Sequence, residues 1–307
     1  MNLGRGINFG NALDALGDGP ELPLEERYFD EVAEAGFDTV RLPVRWSAHA
    51  EAAPPYSIEP AFFERVDAGV DAALRRGLNV VVNVHHYHEL CAEPEEHRPR
   101  FLALWQQIVA RYAGYSARLC FELLNEPRGH LTASRWNAVL TEALTVVRAV
   151  APERTVIIGP ADMNDPGALA ALAVPDDDHL IATIHYYAPF EFTHQGAGWV
   201  AGAHRWLGRT WGGTADENAV RDDLAKVAAW GRERRLPLFV GEFGAFSGAD
   251  MASRARWTAF VRAEAERLGM SWAYWEFGTD FGAFDLELAA WREPLRRALL
   301  GDGDSPR

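Results

Sequence analysis

Residues 119–127 read LCFELLNEP, and their reading decides the fold. Five of the first six are apolar: Leu119, Cys120, Phe121, Leu123 and Leu124. A near-continuous apolar run of this length suits a strand buried on both faces. Pro127 lacks a backbone N–H, so the strand is expected to stop before it, over residues 119–125. Glu126 is then presented at the carboxyl end of a buried strand.

Outward from this stretch, strand-like and helix-like segments alternate. Further strands are expected over residues 4–10, 39–44, 79–86, 155–159, 180–187, 237–243 and 270–277. Helices are expected over 24–36, 60–77, 99–112, 134–150, 166–173, 217–234, 253–268 and 288–300. Pro60 and Gly77 give one helix the usual proline start and glycine stop. Ser134 is the expected N-cap of another. A long loop rich in glycine and aromatics covers residues 188–215. Eight strand–helix units predict an α/β fold, a closed (β/α)8 TIM barrel in a single domain over residues 1–300, followed by a frayed tail, 301–307. An open doubly wound sheet would need a glycine-rich phosphate loop after an early strand. Gly4, Gly6 and Gly10 give G-x-G-x-x-x-G, one residue too long and inside a strand.

The bulk properties narrow the function. With 48% hydrophobic and 24% charged residues, the 307-residue chain is an ordinary globular protein. A net charge of −14 argues against nucleic acid and anionic membranes as partners. Eleven tryptophans leave indoles for flat apolar ligand faces. Cys91 and Cys120 are expected as free thiols, with no cysteine zinc site. No leader or membrane-spanning run is recognisable, so the chain reads as cytoplasmic as written, or as secreted with its leader removed.

Polar and aromatic residues gather at the expected strand ends: Arg41; His85 and His86; Asn125 and Glu126; His185, Tyr186 and Tyr187; Glu242; Trp275 and Glu276. In this barrel the carboxyl ends of the strands form the active site. Any one of these residues has a structural reading, such as a loop salt bridge, a core histidine or an aromatic plug. Their convergence on one face favours a shared cleft. Two carboxylates facing each other across such a mouth suit glycosidic bond cleavage, one as acid and one as nucleophile or base. Metal chemistry is the main rival, with His85, His86, His88 and His185 as candidate imidazoles. There is no H-x-H on strand one and no H-E-x-x-H, so no metal and no cofactor is expected. A serine hydrolase is weaker, since Gly244, Ser247 and Gly248 do not form a G-x-S-x-G elbow.

The motifs LLNEP (123–127), GEFG (241–244), RLPVRW (41–46), NVHHY (83–87) and HYYAPFEFTHQGAGW (185–199) resemble those of glycoside hydrolase family 5. So do the Trp275–Phe277 end of strand eight and the opening GRGINFGNALDA, which is similar to the start of bacterial endoglucanases of that family. The resemblance runs nearly end to end, with the motifs in order. It implies Glu126 as acid/base and Glu242 as nucleophile, with retention of configuration. It implies that Asn125 binds the sugar 2-hydroxyl and that Arg41 and Tyr187 hold Glu242 ionised. His85 and His185 would hydrogen-bond within the cleavage subsite and Trp275 would be its sugar platform. His86, Asn11 and Asp14 would contact glycone sugars, with Trp199 and Trp206 lining the cleft. Asp14 stands where related endoglucanases often have Glu. The implied activity is endo-acting cleavage of β-1,4-glucosidic bonds in cellulose-type β-glucans by a monomer. β-Mannanase, xyloglucanase or mixed-linkage glucanase activity is the alternative on the same machinery, and a non-catalytic carbohydrate-binding barrel the more distant one.

Overall fold

The computed structural model describes residues 1–17 and 21–301. The expected frayed tail, apart from Gly301, lies outside the described residues. Eight parallel strands close into a barrel in sequence order. They are β1 Arg5–Asn8, β2 Thr39–Leu42, β3 Asn79–Asn83, β4 Leu119–Glu122, β5 Val156–Ile158, β6 Leu180–Tyr186, β7 Leu238–Phe243 and β8 Ser271–Tyr274. The surrounding helices are α1 Glu26–Ala35, α2 Pro60–Arg75, α3 His88–Ala92, α4 Pro94–Tyr112, α5 Ala133–Val150, α6 Phe190–Thr193, α7 Thr214–Arg234, α8 Met251–Arg267 and α9 Glu293–Leu300. A 3-10 helix, Pro166–Ala171, takes the place of an α-helix between β5 and β6. No helix among the described residues is long and apolar enough to cross a membrane.

Local chemistry explains most boundaries. Gly36 ends α1 in the left-handed conformation, its N–H returning to the carbonyls of Ala33 and Val32. Asp250 caps α8 by accepting from the Ser253 N–H. Three expectations need correction. Pro94, not Pro99, opens α4; Pro99 sits further in, where its missing N–H forgoes one hydrogen bond. Helix α5 begins one residue before Ser134, and no side chain caps it. The last helix starts at Glu293 rather than 288, because a short antiparallel pair, β9 Phe284–Asp285 and β10 Ala290–Trp291, precedes it.

Side chains alternate along each strand between the helix layer and the barrel interior. At the amino end the interior is apolar and forms its own cluster of Leu3, Val81, Cys120, Ile157, Ile181, Phe239 and Ala273. Two residues further along the same strands come Asn83, Glu122, Gly159, Thr183, Gly241 and Trp275. The interior therefore changes from hydrocarbon to polar groups within one side-chain step.

Strand β7 departs from strict alternation where it matters. Its pairing jumps from Ile184↔Val240 to His185↔Glu242 on one side, and from Val240↔Trp272 to Phe243↔Tyr274 on the other. One extra residue is accommodated at Gly241–Glu242, a bulge that re-aims the side chain after it. Phe239 faces inward, so uninterrupted alternation would turn Glu242 toward the helices. The bulge turns it to the barrel mouth. Only glycine fits at 241, since a Cβ there would lie 2.5 Å from Thr183 Oγ1.

Most of the tryptophans serve the scaffold, which narrows the expected supply of ligand-facing indoles. Trp46, Trp105, Trp136 and Trp257 are buried in the helix layer. Their Nε1–H groups donate to the carbonyls of Asn83, Leu123, Gly159 and Ala188, tying down the segments that follow β3, β4, β5 and β6.

Candidate active site

Arg41 on β2 is the hub of the polar layer, and neither it nor Glu122 has exposed surface (0%/0%). Its Nε and Nη2 donate to the two oxygens of Glu122 at 2.6 and 2.9 Å. Nη1 donates to Glu242 Oε1 at 2.7 Å and to Asn8 Oδ1 at 2.8 Å. Nη2 also donates to Asn125 Oδ1 at 2.8 Å. All five guanidinium N–H groups are thus engaged, and a bidentate carboxylate fixes the plane. The Asn8 amide donates to the carbonyls of Gly241 and Tyr274, which ties Arg41 to the β7 bulge.

Glu122 is the residue that sequence reasoning passed over. It interrupts the apolar run at 119–124 and ends β4, which is shorter than expected; 123–126 continue as a loop. The signal was present: a charged residue in a strand buried on both faces needs an interior partner.

Glu242 receives the Arg41 bond on Oε1 and the Tyr187 hydroxyl on Oε2 at 2.9 Å. Burial, with Glu242 and Glu126 nearby, raises the Tyr187 pKa well above the usual phenol range, so it remains a donor. Glu126 lies in the left-handed region at φ 47°. Its Oε1 is 2.9 Å from His185 Nδ1, which is also 3.5 Å from Glu242 Oε2. Oxygens of Glu126 and Glu242, with that imidazole nitrogen, all lie within 4.8 Å of one another.

The electrostatics divide the two carboxylates. Burial pushes Glu242 upward, partly offset by His185, Arg41 and Tyr187. Burial also penalises the Glu126 anion, but the His185 hydrogen bond and charge, with Arg128 and His86, outweigh it and hold Glu126 down. Burial disfavours the His185 cation, and the charges of Glu242 and Glu126 overcome that, so its pKa is raised. His185 and Glu126 therefore share a proton along one hydrogen bond, within reach of a ligand in the cleft. Glu242 is anchored instead by a permanent cation.

The remaining expected residues fall into two groups. Asn125 is buried with its carbonyl oxygen turned to Arg41, which aims its amide N–H2 away from the guanidinium. His85 is buried, and burial, reinforced by His86, Arg41 and His185, keeps it neutral. Its Nδ1 faces the Asn83 amide at 3.0 Å, while Asn83 Oδ1 accepts from Val44 N–H. This assigns the His85 proton to Nε2. Trp275 is half-buried and parallel to the His85 ring, at 5.8 Å and 4°. Gly10 leaves room for it, since a Cβ there would lie 2.8 Å from the indole.

Asn11 and His86 are half-buried, and both adopt left-handed backbone, φ 64° and 52°. Asp14 has no exposed surface (0%). Its Oδ1 accepts from the Asn11 N–H at 2.7 Å and its Oδ2 is 3.5 Å from His86 Nε2. Asp14 therefore supports these two residues from beneath instead of lining the cleft. Trp199 is 60% exposed and meets Phe246 and Phe281, the latter 6.3 Å from Tyr187. Trp206 meets Phe190, which stacks on His194 beside Tyr187. Glu276 is buried and raised to about 7 by that burial. It accepts from the N–H groups of Gly278, Thr279 and Phe281, so it organises the loop after β8.

The four histidines of the metal reading do not converge. His185 belongs to the carboxylate pair, His85 and His86 sit with Asp14, and His88 meets His86 only at a ring distance of 5.5 Å.

Comparison with known proteins gives the same picture. The family model for cellulase, glycosyl hydrolase family 5, matches residues 9–280. Endoglucanase H of Acetivibrio thermocellus is 35% identical over 99% of this chain, which spans 33% of that longer protein. Endoglucanase A of Ruminococcus albus is 29% identical over 93% of this chain and 86% of its own length. The structure of endoglucanase Cel5A from Thermotoga maritima has a TM-score of 0.94 at 50% identity, covering 97% of both chains. Structures of that Thermotoga protein in complex with cellobiose and with mannotriose superpose equally well, at 50% and 49% identity. With the barrel, the motifs and the matched length in agreement, the chain belongs to glycosyl hydrolase family 5, the cellulase family.

Proposed function

We propose that this chain is an endo-acting β-1,4-glucanase that cleaves internal bonds of cellulose-type β-glucans with retention. The observation that supports retention is the short gap between Glu126 and Glu242, one oxygen of each lying within 4.8 Å of the other. Retaining enzymes hold their carboxyl groups about 5–5.5 Å apart, whereas inverting enzymes need about 6.5–9.5 Å for a water. In the first step Glu242 attacks the anomeric carbon and Glu126 gives the proton it shares with His185 to the departing glycosidic oxygen. The C–O bond to the leaving sugar breaks as the ester to Glu242 forms. Water then attacks the same carbon, Glu126 takes its proton, and Glu242 is released as carboxylate.

The supporting groups have separate tasks. Arg41 and Tyr187 stabilise the Glu242 anion at the start and end of the cycle. Asn125 offers its oriented N–H2 to the sugar 2-hydroxyl. Trp275 gives the sugar ring a flat face, with His85 Nε2–H and His86 beside it. Asn11 and, through it, Asp14 shape the glycone end, and Trp199 and Trp206 extend the cleft along a polymer. The catalytic unit is residues 1–300, acting as a monomer.

The test is reducing-sugar release from cellulose, carboxymethylcellulose, lichenan, xyloglucan and β-mannan. The reading expects release from the β-1,4-glucans, with rapid loss of viscosity as internal bonds are cut. Mannan is the second substrate to watch, given the mannotriose complex of the Thermotoga relative. No release from any polymer would favour a carbohydrate-binding barrel instead. Glu126→Ala should lose kcat/KM on polymer while keeping most of kcat/KM on an activated aryl cellobioside, whose leaving group needs little acid help, although kcat falls on both because the second step loses its base. Equal losses of kcat/KM on both would remove Glu126 from the acid role.

A further inference from the structure

Beneath the carboxylate pair is a group of buried polar atoms that the reaction as described does not use. Four buried polar atoms there have no hydrogen-bond partner among the described residues: Asn164 Oδ1 and Nδ2, Thr183 Oγ1 and His185 Nε2. Asn164 and Thr183 have no exposed surface. The two interior glycines bring these atoms together. A Cβ on Gly241 would lie 2.5 Å from Thr183 Oγ1 and 3.4 Å from His185 Nε2. A Cβ on Gly159 would lie 2.7 Å from Asn164 Nδ2 and 2.9 Å from Thr183 Cγ2. Glycines at 159 and 241 thus let Asn164 pack beside the Thr183 methyl and let the Thr183 hydroxyl lie near His185 Nε2, where β5, β6 and β7 meet.

The backbone is strained to deliver Asn164 against Gly159 and Thr183. Asp162, Met163 and Asn164 are consecutive left-handed residues, at φ 66°, 61° and 57°. Such a run is costly for residues with a Cβ and persists where the surroundings enforce it. The Met163 N–H donates to the Pro127 carbonyl, and the Asn164 carbonyl accepts from the His185 N–H. The turn is therefore pinned at one end to the residue after Glu126 and at the other to His185.

We infer that Asn164 and Thr183 are positioning residues that hold a buried water against His185 Nε2, and through it govern how His185 shares a proton with Glu126. A buried water needs two to four polar partners; Thr183 Oγ1 and His185 Nε2 supply two beside Gly241, and the Asn164 amide lies next to the Thr183 methyl. His185 Nδ1 is committed to Glu126, so Nε2 is the only ring nitrogen left to receive support. An imidazolium needs an acceptor at that N–H. Leaving a buried charged donor unmet costs more than leaving a neutral ring nitrogen unmet.

Around His185 the charged and titratable groups are Glu126 after β4, Glu242 on β7, Arg41 on β2 and His85 after β3. Glu126 also feels Arg128, His86, Tyr187 and His194. None of these changes when Thr183 loses its hydroxyl. Without Thr183 Oγ1 the protonated His185–Glu126 pair is less stable, so it gives up its proton at lower pH.

The experiment is to follow the His185 imidazole nitrogens by 15N NMR against pH in wild type, Thr183→Val, Thr183→Ser and Asn164→Gly. The pH profile of kcat/KM is measured on the same proteins. Glycine at 164 keeps the left-handed backbone and removes only the amide, so it gives a second reading if the valine variant folds poorly. Thr183→Val and Asn164→Gly should lower the His185 titration by about one pH unit, and the alkaline limb of kcat/KM should follow. Thr183→Ser should restore both. A His185 titration unmoved in both variants would overturn the inference. The kinetic consequence rests on Glu126 as the acid: a titration that moves while the alkaline limb stays would uphold the support of His185 by Thr183 and Asn164 and remove that assignment instead.

Discussion

Val81, Cys120, Ile181 and Phe239 sit two residues before Asn83, Glu122, Thr183 and Gly241 on the same four strands. The first set belongs to a buried apolar cluster at the amino end of the barrel. The second set opens a polar layer around Arg41, where most side-chain hydrogen bonds lead to another side chain of the site. Both layers are equally buried. What separates them is what their burial does. In the lower layer it stabilises the fold, at roughly 1.5–3 kcal/mol for each large side chain. In the upper layer it removes water from charges, which strengthens their mutual orientation and makes each one costly to leave unpaired.

That contrast is broken most severely at Glu242. Glu242→Gln keeps the shape and removes the nucleophile, so turnover on carboxymethylcellulose should fall by about 10⁴-fold, or about 5.5 kcal/mol on the barrier, with thermal unfolding little changed. Wild-type turnover by this variant would dismiss the nucleophile assignment. Next in size is Glu122→Gln. It leaves a buried guanidinium without its bidentate partner, and urea unfolding should report a loss of about 3–5 kcal/mol. Turnover should fall as well, because Arg41 then draws more strongly on Glu242. Unchanged stability would mean that the pair is not the centre of the polar layer.

Ile157→Ala tests the lower layer. Stability should fall by about 2–5 kcal/mol from lost packing and a cavity, while kcat of the folded fraction stays within about twofold, a barrier change of about 0.4 kcal/mol. A large fall in kcat at full folding would show that the two layers are not separable. The smallest effect belongs to Trp199→Ala at the exposed edge of the cleft. KM for polymer should rise several-fold, about 1 kcal/mol, with kcat on an aryl cellobioside unaffected. Equal changes on both substrates would place Trp199 in the chemistry.

The contrast also explains what could be read from the sequence. The apolar runs that build the lower layer and the outer core are periodic, so eight strands and a barrel were legible. Glu126 and Glu242 were legible because each closes a strand-end motif. Glu122 was not weighed, because it sits inside an apolar run and its meaning depends on Arg41 lying on the interior face. The bulge at Gly241 is invisible to periodicity, yet it turns Glu242 into the cleft. Asp14 was expected on the cleft surface, but its burial is set by the loop from Asn11. Asn164 belongs to no motif at all, and only the meeting of β5, β6 and β7 brings it beneath His185. The start of α4 was misplaced because Pro99 read as an opening residue, although a first turn from Pro94 already existed.

The central claim is that Glu126 and Glu242 stand close enough for a covalent two-step reaction. It is tested most directly by proton NMR of the first product formed from a soluble β-1,4-glucan oligosaccharide, before mutarotation. The account predicts that the β-anomer appears first and the α-anomer only later. An initial α-anomer would mean inversion and would contradict the assignment of Glu242 as nucleophile.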